Sequence, residues 1–159
     1  MYWLPLIAFA FHMLEEYPRF PEWATRHFGA TSNAWYVYSH IPLVTLAIIV
    51  CLSAENSSPQ TWERIFGTAF AITLALNGIF HIAATILFRE YSPGVATGTF
   101  FLIPVACYLL IETAGGRLLT GRQTWVAFAI GVVVQIAVVA SLYLEMDIDW
   151  RLKKQGFDE

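Results

Sequence analysis

Four runs of apolar residues, each about as long as a bilayer core is thick, constrain this chain more than any other feature. A helix rises about 1.5 Å per residue and the hydrocarbon core is about 30 Å across, so a crossing takes roughly 20 mostly apolar residues. Ala34–Ala54, Trp62–Phe88, Val95–Thr113 and Thr124–Leu144 each meet that length. Over 159 residues the mean hydropathy is +0.57, with 57% hydrophobic and 13% charged residues. The charged share is about half that of a water-soluble domain, which excludes an ordinary soluble fold. Two cysteines and no low-complexity tract exclude disulfide-scaffold, collagen-like and disordered classes. A net charge of −3 without any block of like charge excludes nucleic acid as a partner. The expected fold is all-α: a polytopic membrane helix bundle in one domain, residues 1–159, with the lipid bilayer as its main partner.

A fifth apolar stretch, Tyr2–Leu14, is shorter and runs into Glu15 and Glu16 before Pro18 stops the helix. It lacks a basic leading region and an Ala-x-Ala-like cleavage site. It therefore reads as a retained fifth transmembrane helix, short by a turn, rather than a removable signal peptide. Five spans put the two ends on opposite faces. The face of Met1 receives Arg64, Arg117 and Arg122; the other receives Arg19, Arg26, Arg89, Arg151, Lys153 and Lys154. The basic excess makes the second face cytoplasmic, with the N-terminus outside a bacterial inner membrane and residues 145–159 a short cytoplasmic tail. Trp3, Trp62 and Trp125 then fall at the outer boundary and Trp23, Trp35 and Trp150 at the inner one, matching the interfacial preference of tryptophan. Between the first two spans, Pro21 and Gly29 bracket a short interfacial helix, expected to dip Trp23 and Phe28 toward lipid.

Ionisable groups at membrane depth are costly and by default mark function. In His12-Met-Leu-Glu15-Glu16, the two carboxylates lie about 60° and 40° to either side of the histidine on one helix face. Asn77 and His81 are one turn apart on another helix, with Gly78 between them allowing close approach of a neighbour. Tyr36 and His40 repeat that spacing on a third. Counted from Arg19, Asn33 and Arg89 at the cytoplasmic boundary, His12, His40 and His81 each sit about 10–12 Å deep. Three histidines at one level beside two glutamates are chemically demanding, since adjacent carboxylates cannot both stay ionised there without a cation or protons. A divalent transition metal, zinc or iron, answers that demand with imidazole and carboxylate ligands drawn from facing helices. The expected ligands are His12, Glu15, Glu16, His81 and His40. Glu15 ligates as the close i, i+3 partner of His12, while Glu16 and His40 serve proton transfer. Asn77 and Tyr36 orient the ligands.

His12-x-x-Glu15-Glu16, Asn77-x-x-x-His81 and Tyr91-x-Pro93-Gly94 together resemble the three ordered motifs of the HXXEE family of bacterial integral membrane proteins. The resemblance covers about residues 8–100. It implies a site at these residues and supplies no substrate, because the family has no established activity.

The third motif carries its own physics. In Arg89-Glu-Tyr-Ser-Pro-Gly, Ser92 can cap the next helix and Pro93 suits its first turn, while Gly94 and the free N–H groups there form an expected anion site beside Arg89 and Tyr91. Pro104 should kink the fourth span, Gln135 should hydrogen-bond between helices, and Cys51 and Cys107 lie at different depths, which argues against a disulfide. The leading functional expectation is a membrane metalloenzyme, hydrolase-type, acting on a lipid or other hydrophobic small molecule near the cytoplasmic side. A metal-free acid–base isomerase or cyclase acting on an isoprenoid- or sterol-like substrate uses the same groups. So does a small proton-coupled transporter, which the one-sided placement of the cluster and the lack of an inverted repeat disfavour.

Overall fold

The computed structural model describes residues 3–29, 31–54, 61–115 and 118–154, and among these every regular element is helical. α1 (Trp3–Glu16), α2 (Phe20–His27), α3 (Asn33–Ala54) and α4 (Thr61–Phe88) come first. A short α5 (Val95–Thr97) then continues without a break through a π-helical stretch, Gly98–Leu102, into α6 (Ile103–Ala114). α7 (Gly121–Lys154) closes the bundle and runs as helix ten residues beyond the expected span end at Leu144. The irregularity expected at Pro104 takes the form of that π-helical stretch directly before it, where the ring's missing N–H would otherwise interrupt an α ladder.

Four helical segments are long and apolar enough to cross a membrane: Asn33–Ser53, Thr61–Phe88, Val95–Thr113 and Gly121–Tyr143. They identify an integral membrane protein. At 14 residues α1 is about 21 Å long, short of a bilayer core, so by length alone it does not join them. The loop at 55–60, Arg117 and the side chains of Trp150, Arg151, Lys153 and Lys154 lie outside the described residues.

α4 is the axis. It packs against α1, α3, α6, α7 and the π-helical stretch, and its buried positions include Gly67, Thr68, Ala69, Ala71 and Thr73. Small side chains let neighbouring backbones come close, which is how helices associate where water provides no driving force. A close approach is at Gly78, where a Cβ would lie 2.8 Å from the carbonyl oxygen of Gly98. Large apolar side chains face outward along the spans: Leu4, Ile7, Phe11 and Leu14 on α1, Ile86 and Leu87 on α4, and Val133 and Ile136 on α7 are all exposed.

α2 closes one end of the bundle. Its buried Phe20, Trp23 and Ala24 join Tyr36 of α3, Ala84 of α4 and Leu142 of α7 in one cluster, with Phe28, Trp35, Phe80 and Phe88 around it. Pro21 sits in its first turn and Gly29, at φ +123°, follows its end. The expectation that Trp23 dips into lipid is corrected: at 1% exposure it is a core residue, because α2 lays its apolar face across the bundle end rather than on the membrane.

Candidate functional site

Helix α1 carries the centre of the site. His12 and Glu16, one turn apart, both face inward and are buried, while Glu15, rotated 100° from Glu16, faces another element. His81 comes from α4 and His40 with Tyr36 from α3. Glu16 is the hub. Its Oε1 lies 2.9 Å from His81 Nε2 and 3.5 Å from His12 Nε2, and its Oε2 accepts a hydrogen bond from the Tyr36 hydroxyl at 2.9 Å. His40 Nε2 stands 3.7 Å from the same Oε2. The rings of His12 and His81 meet edge to face, 5.0 Å between centroids.

Each histidine is held by its other nitrogen. His40 Nδ1 donates to the backbone carbonyl of Tyr36 at 2.7 Å, so Nε2 is left as the acceptor. His12 Nδ1 lies 2.8 Å from Thr97 Oγ1, which lies 2.5 Å from Glu15 Oε2. A hydroxyl has one proton and a carboxylate can only accept, so Thr97 donates to Glu15 and receives from His12. That assignment leaves His12 Nε2 with a lone pair, and Asn77 Nδ2 points at it from 3.0 Å. Asn77 is in turn fixed by Gln135, whose Nε2 donates to its Oδ1 at 3.3 Å, the interhelical bond expected of Gln135. His81 Nδ1 pairs with Ser92 Oγ at 2.9 Å. His81 Nε2, though close to Glu16, is out of line for a hydrogen bond and is a buried nitrogen with no such partner.

Thus three expected ligands, His12, Glu16 and His81, are gathered with all ligand atoms within 4.8 Å of one another. His40 and Tyr36 stand beside them. Glu15 does not. Its Oε1 accepts from the backbone N–H of Gly94 at 3.0 Å and of Ala96 at 3.2 Å, and from the Tyr91 hydroxyl. Its Oε2 accepts from Thr97 N at 2.7 Å as well as from the Thr97 hydroxyl. The anion at this helix start is therefore the chain's own carboxylate, with Gly94 and Tyr91 as its holders. Arg89 is exposed in the left-handed turn that ends α4, at φ +52°. Neither Ser92 nor Pro93 acts as expected. Ser92 Oγ is spent on His81, and Pro93 precedes the helix in a turn.

Gly94 also roofs the site. At φ +103° its backbone is left-handed, and a Cβ there would lie 2.6 Å from His12 Cε1, 2.9 Å from His81 Cε1 and 3.0 Å from Glu16 Cγ. Thr97, Ser92 and Gln135 are the partners that sequence reasoning did not place in the site. Spacing gave no sign of them, because Thr97 and Gln135 come from other helices and Ser92 from the turn between α4 and α5.

On the side of Glu16 away from Gly94 the site opens into a cavity of about 360 Å³ between α3 and α7, floored by α4. Glu16, His40, Ser39, Asn77 and Ser141 supply its polar groups, and the remaining walls are apolar, among them Trp35, Leu43, Phe80 and Val134. Cys51 and Cys107 form no disulfide.

The family model of proteins of unknown function with an HXXEE motif matches residues 3–109, so the chain belongs to that family. It is 24% identical over 156 residues to the uncharacterised protein YrkK of Bacillus subtilis (strain 168), a match covering 90% of this chain and 94% of that protein. No solved structure matches it.

Proposed function

For this HXXEE protein we propose a membrane-embedded metalloenzyme of hydrolase type, acting on a lipid or other hydrophobic substrate through His12, His81 and Glu16. The observation that carries the reading is the buried His12 Nε2, His81 Nε2 and Glu16 carboxylate, mutually within 4.8 Å and next to an apolar cavity. Two histidines and one carboxylate are a donor set for a divalent transition metal, zinc or iron, with a coordination position left open. The orphaned Nε2 of His81 and the lone pair of His12 Nε2, fixed by the Thr97 bond, suit this role. When bound, the ion supplies Lewis acidity toward a carbonyl or phosphoryl oxygen.

The remaining work falls to side chains. His40, with Nδ1 tied to the Tyr36 carbonyl, presents Nε2 at the polar end of the cavity, where it takes the proton of an attacking water. The same proton then passes to the leaving oxygen as its bond to the acyl or phosphoryl centre breaks. Tyr36 holds Glu16, Asn77 orients His12, and the apolar walls exclude bulk water. In this assignment Glu16 is the carboxylate ligand and His40 the base, while Glu15 belongs to the scaffold.

Elemental analysis of protein purified in mild detergent without chelator tests the reading. About one equivalent of a transition metal is expected, lost in the His12→Ala/His81→Ala double variant; stoichiometric metal persisting in that variant ends it. One observation favours a metal-free acid–base isomerase instead: the Asn77 amide donates to the lone pair that an ion needs on His12. A metal-free preparation that still loses turnover on Glu16→Gln would establish that alternative.

The same proposal places the N-terminus outside and the site near the cytoplasmic side, with α1 as a short fifth crossing. Its buried stripe Pro5, Ala8, Phe9, His12 and Glu16 is matched by the exposed apolar stripe Leu4, Ile7, Phe11 and Leu14, as for a helix with protein on one side and lipid on the other. In a Cys107→Ser background, Arg89→Cys should label from the cytoplasm and Thr120→Cys from outside. Labelling of both from one side would sink the orientation.

A further inference from the structure

A second, narrower space of about 70 Å³ adjoins the main cavity along α4, and Leu43 of α3 and Val134 of α7 line both. The deeper part is walled by Ala47, Val50, Phe66 and Ala69 and holds almost no polar surface. From His40 at the polar end to Val50 at the far end is ten residues of α3, about 15 Å. The outer rim carries Val133, exposed on α7 in the apolar surface that faces lipid.

From this shape we infer that the ligand is a single-chain amphiphile: a polar, hydrolysable group at Glu16, His40 and Asn77, and one unbranched acyl-type chain threaded past Leu43 and Val134. The inference takes the proposed site as the place where the reacting group sits. Three features select this occupant. The polar groups lie at one end only, which matches a head and a tail and not a wholly apolar molecule. The space is too small for a helix of a second copy, since a helix about 10 Å wide and 15 Å long fills more than about 1,000 Å³. The deep part reaches no further along α3 than the buried Val50, so the groove has a length and sets a limit on the chain it holds.

Ala47 is the residue on which chain length turns. It is buried, it lines only the deep part, and a larger side chain there shortens the groove without touching the polar end. The test uses intact protein in mild detergent and a series of saturated monoacylglycerols from octanoyl to stearoyl, with bound ligand read by native mass spectrometry and metal content read on the same samples. The wild type should prefer the chains of intermediate length that fill the groove and bind stearoyl less well. Ala47→Phe should lose roughly tenfold for those preferred chains and leave the octanoyl ester unchanged. Should Ala47→Phe fail to fold, Ala137→Trp takes its place: Ala137 is exposed and lines the wider chamber, so filling it should weaken every chain length alike. A flat chain-length profile in the wild type, undiminished binding of the preferred chain in Ala47→Phe, or undiminished binding at every length in Ala137→Trp, overturns the inference. A chain-length limit persisting in protein without metal would sustain the groove while ending the metalloenzyme reading. Metal with no chain preference would do the reverse.

Discussion

Two regions of the molecule are built around neighbouring glutamates and differ in almost everything else. Glu16 sits in the buried chamber between α1, α3 and α4, faced by three histidines and a tyrosine hydroxyl. Glu15 sits at the start of α5, where backbone N–H groups and two hydroxyls fill both its oxygens. A turn of 100° on one helix separates a carboxylate whose partners can titrate or share an ion from one whose partners are fixed dipoles. The difference teaches that a doubled acid in a membrane helix need not be a doubled ligand. One of the pair faces the three histidines, and the other fastens the element that roofs them.

The sharpest way to break this comparison is to neutralise each glutamate in turn. Glu16→Gln should abolish metal binding, because an amide is a poor ligand and the chamber holds no second carboxylate to replace it. Glu15→Gln should keep the metal and lower stability instead, by about 1 kcal/mol, since the part-buried donors at the start of α5 lose a charged acceptor. Metal content and thermal unfolding in detergent, measured side by side, read the two effects. Equal loss of metal in both variants would erase the distinction between site and scaffold.

Much of this was legible from the sequence, and the reasons are specific. The spans were visible because apolar length is a one-dimensional property; expected and observed boundaries for the two middle helices, Trp62–Phe88 and Val95–Thr113, differ by at most one residue. Counting depth from the boundary brought His12, His40 and His81 to one level, and in the structure they converge on Glu16. Depth alone could not divide Glu15 from Glu16. Both flank His12, and the choice is made by where α5 starts, which depends on the Gly78–Gly98 contact between distant parts of the chain. Trp23 was misplaced for a related reason. An amphipathic eight-residue helix reads the same whether its apolar face meets lipid or protein, and only the neighbouring ends of α3, α4 and α7 decide.

Thr97 is where the two regions touch, so Thr97→Val measures whether they are coupled. The substitution keeps the shape and removes the hydroxyl that joins His12 Nδ1 to Glu15 Oε2. His12 would then lose the acceptor that holds its tautomer and ring orientation. Removing such a partner of a metal ligand typically weakens metal affinity about 10–100-fold, a smaller effect than deleting a ligand. Competition against a calibrated chelator gives the number. Affinity within a factor of about two of wild type would mean that Glu15 supports the fold without reaching the site.

The smallest effect belongs to a third carboxylate of the same end, Glu90, which ties α2 over the chamber from outside. Its Oε2 lies 2.9 Å from His27 Nε2 and its Oε1 2.5 Å from Arg26 Nη2, while Arg26 also reaches Glu22 at 2.9 Å. The hydrogen bond from His27, then that from Arg26, holds the Glu90 carboxyl below the usual glutamate range. A carboxylate with a depressed folded value contributes stability above its unfolded value, roughly pH 4, and loses that contribution as pH falls through the folded one. The pair is exposed and screened by solvent, so its effect is local and modest. Hydrogen exchange of the α2 amides should therefore show constant protection from pH 8 to about pH 5 and a loss of a few-fold below about pH 4. In Glu90→Gln the low-pH level of protection should hold across the whole range, because no charge remains to be lost. An acid-induced loss of the same size in Glu90→Gln would mean that α2 is held by its buried Phe20, Trp23 and Ala24 alone, and that this outer tie carries none of the roof.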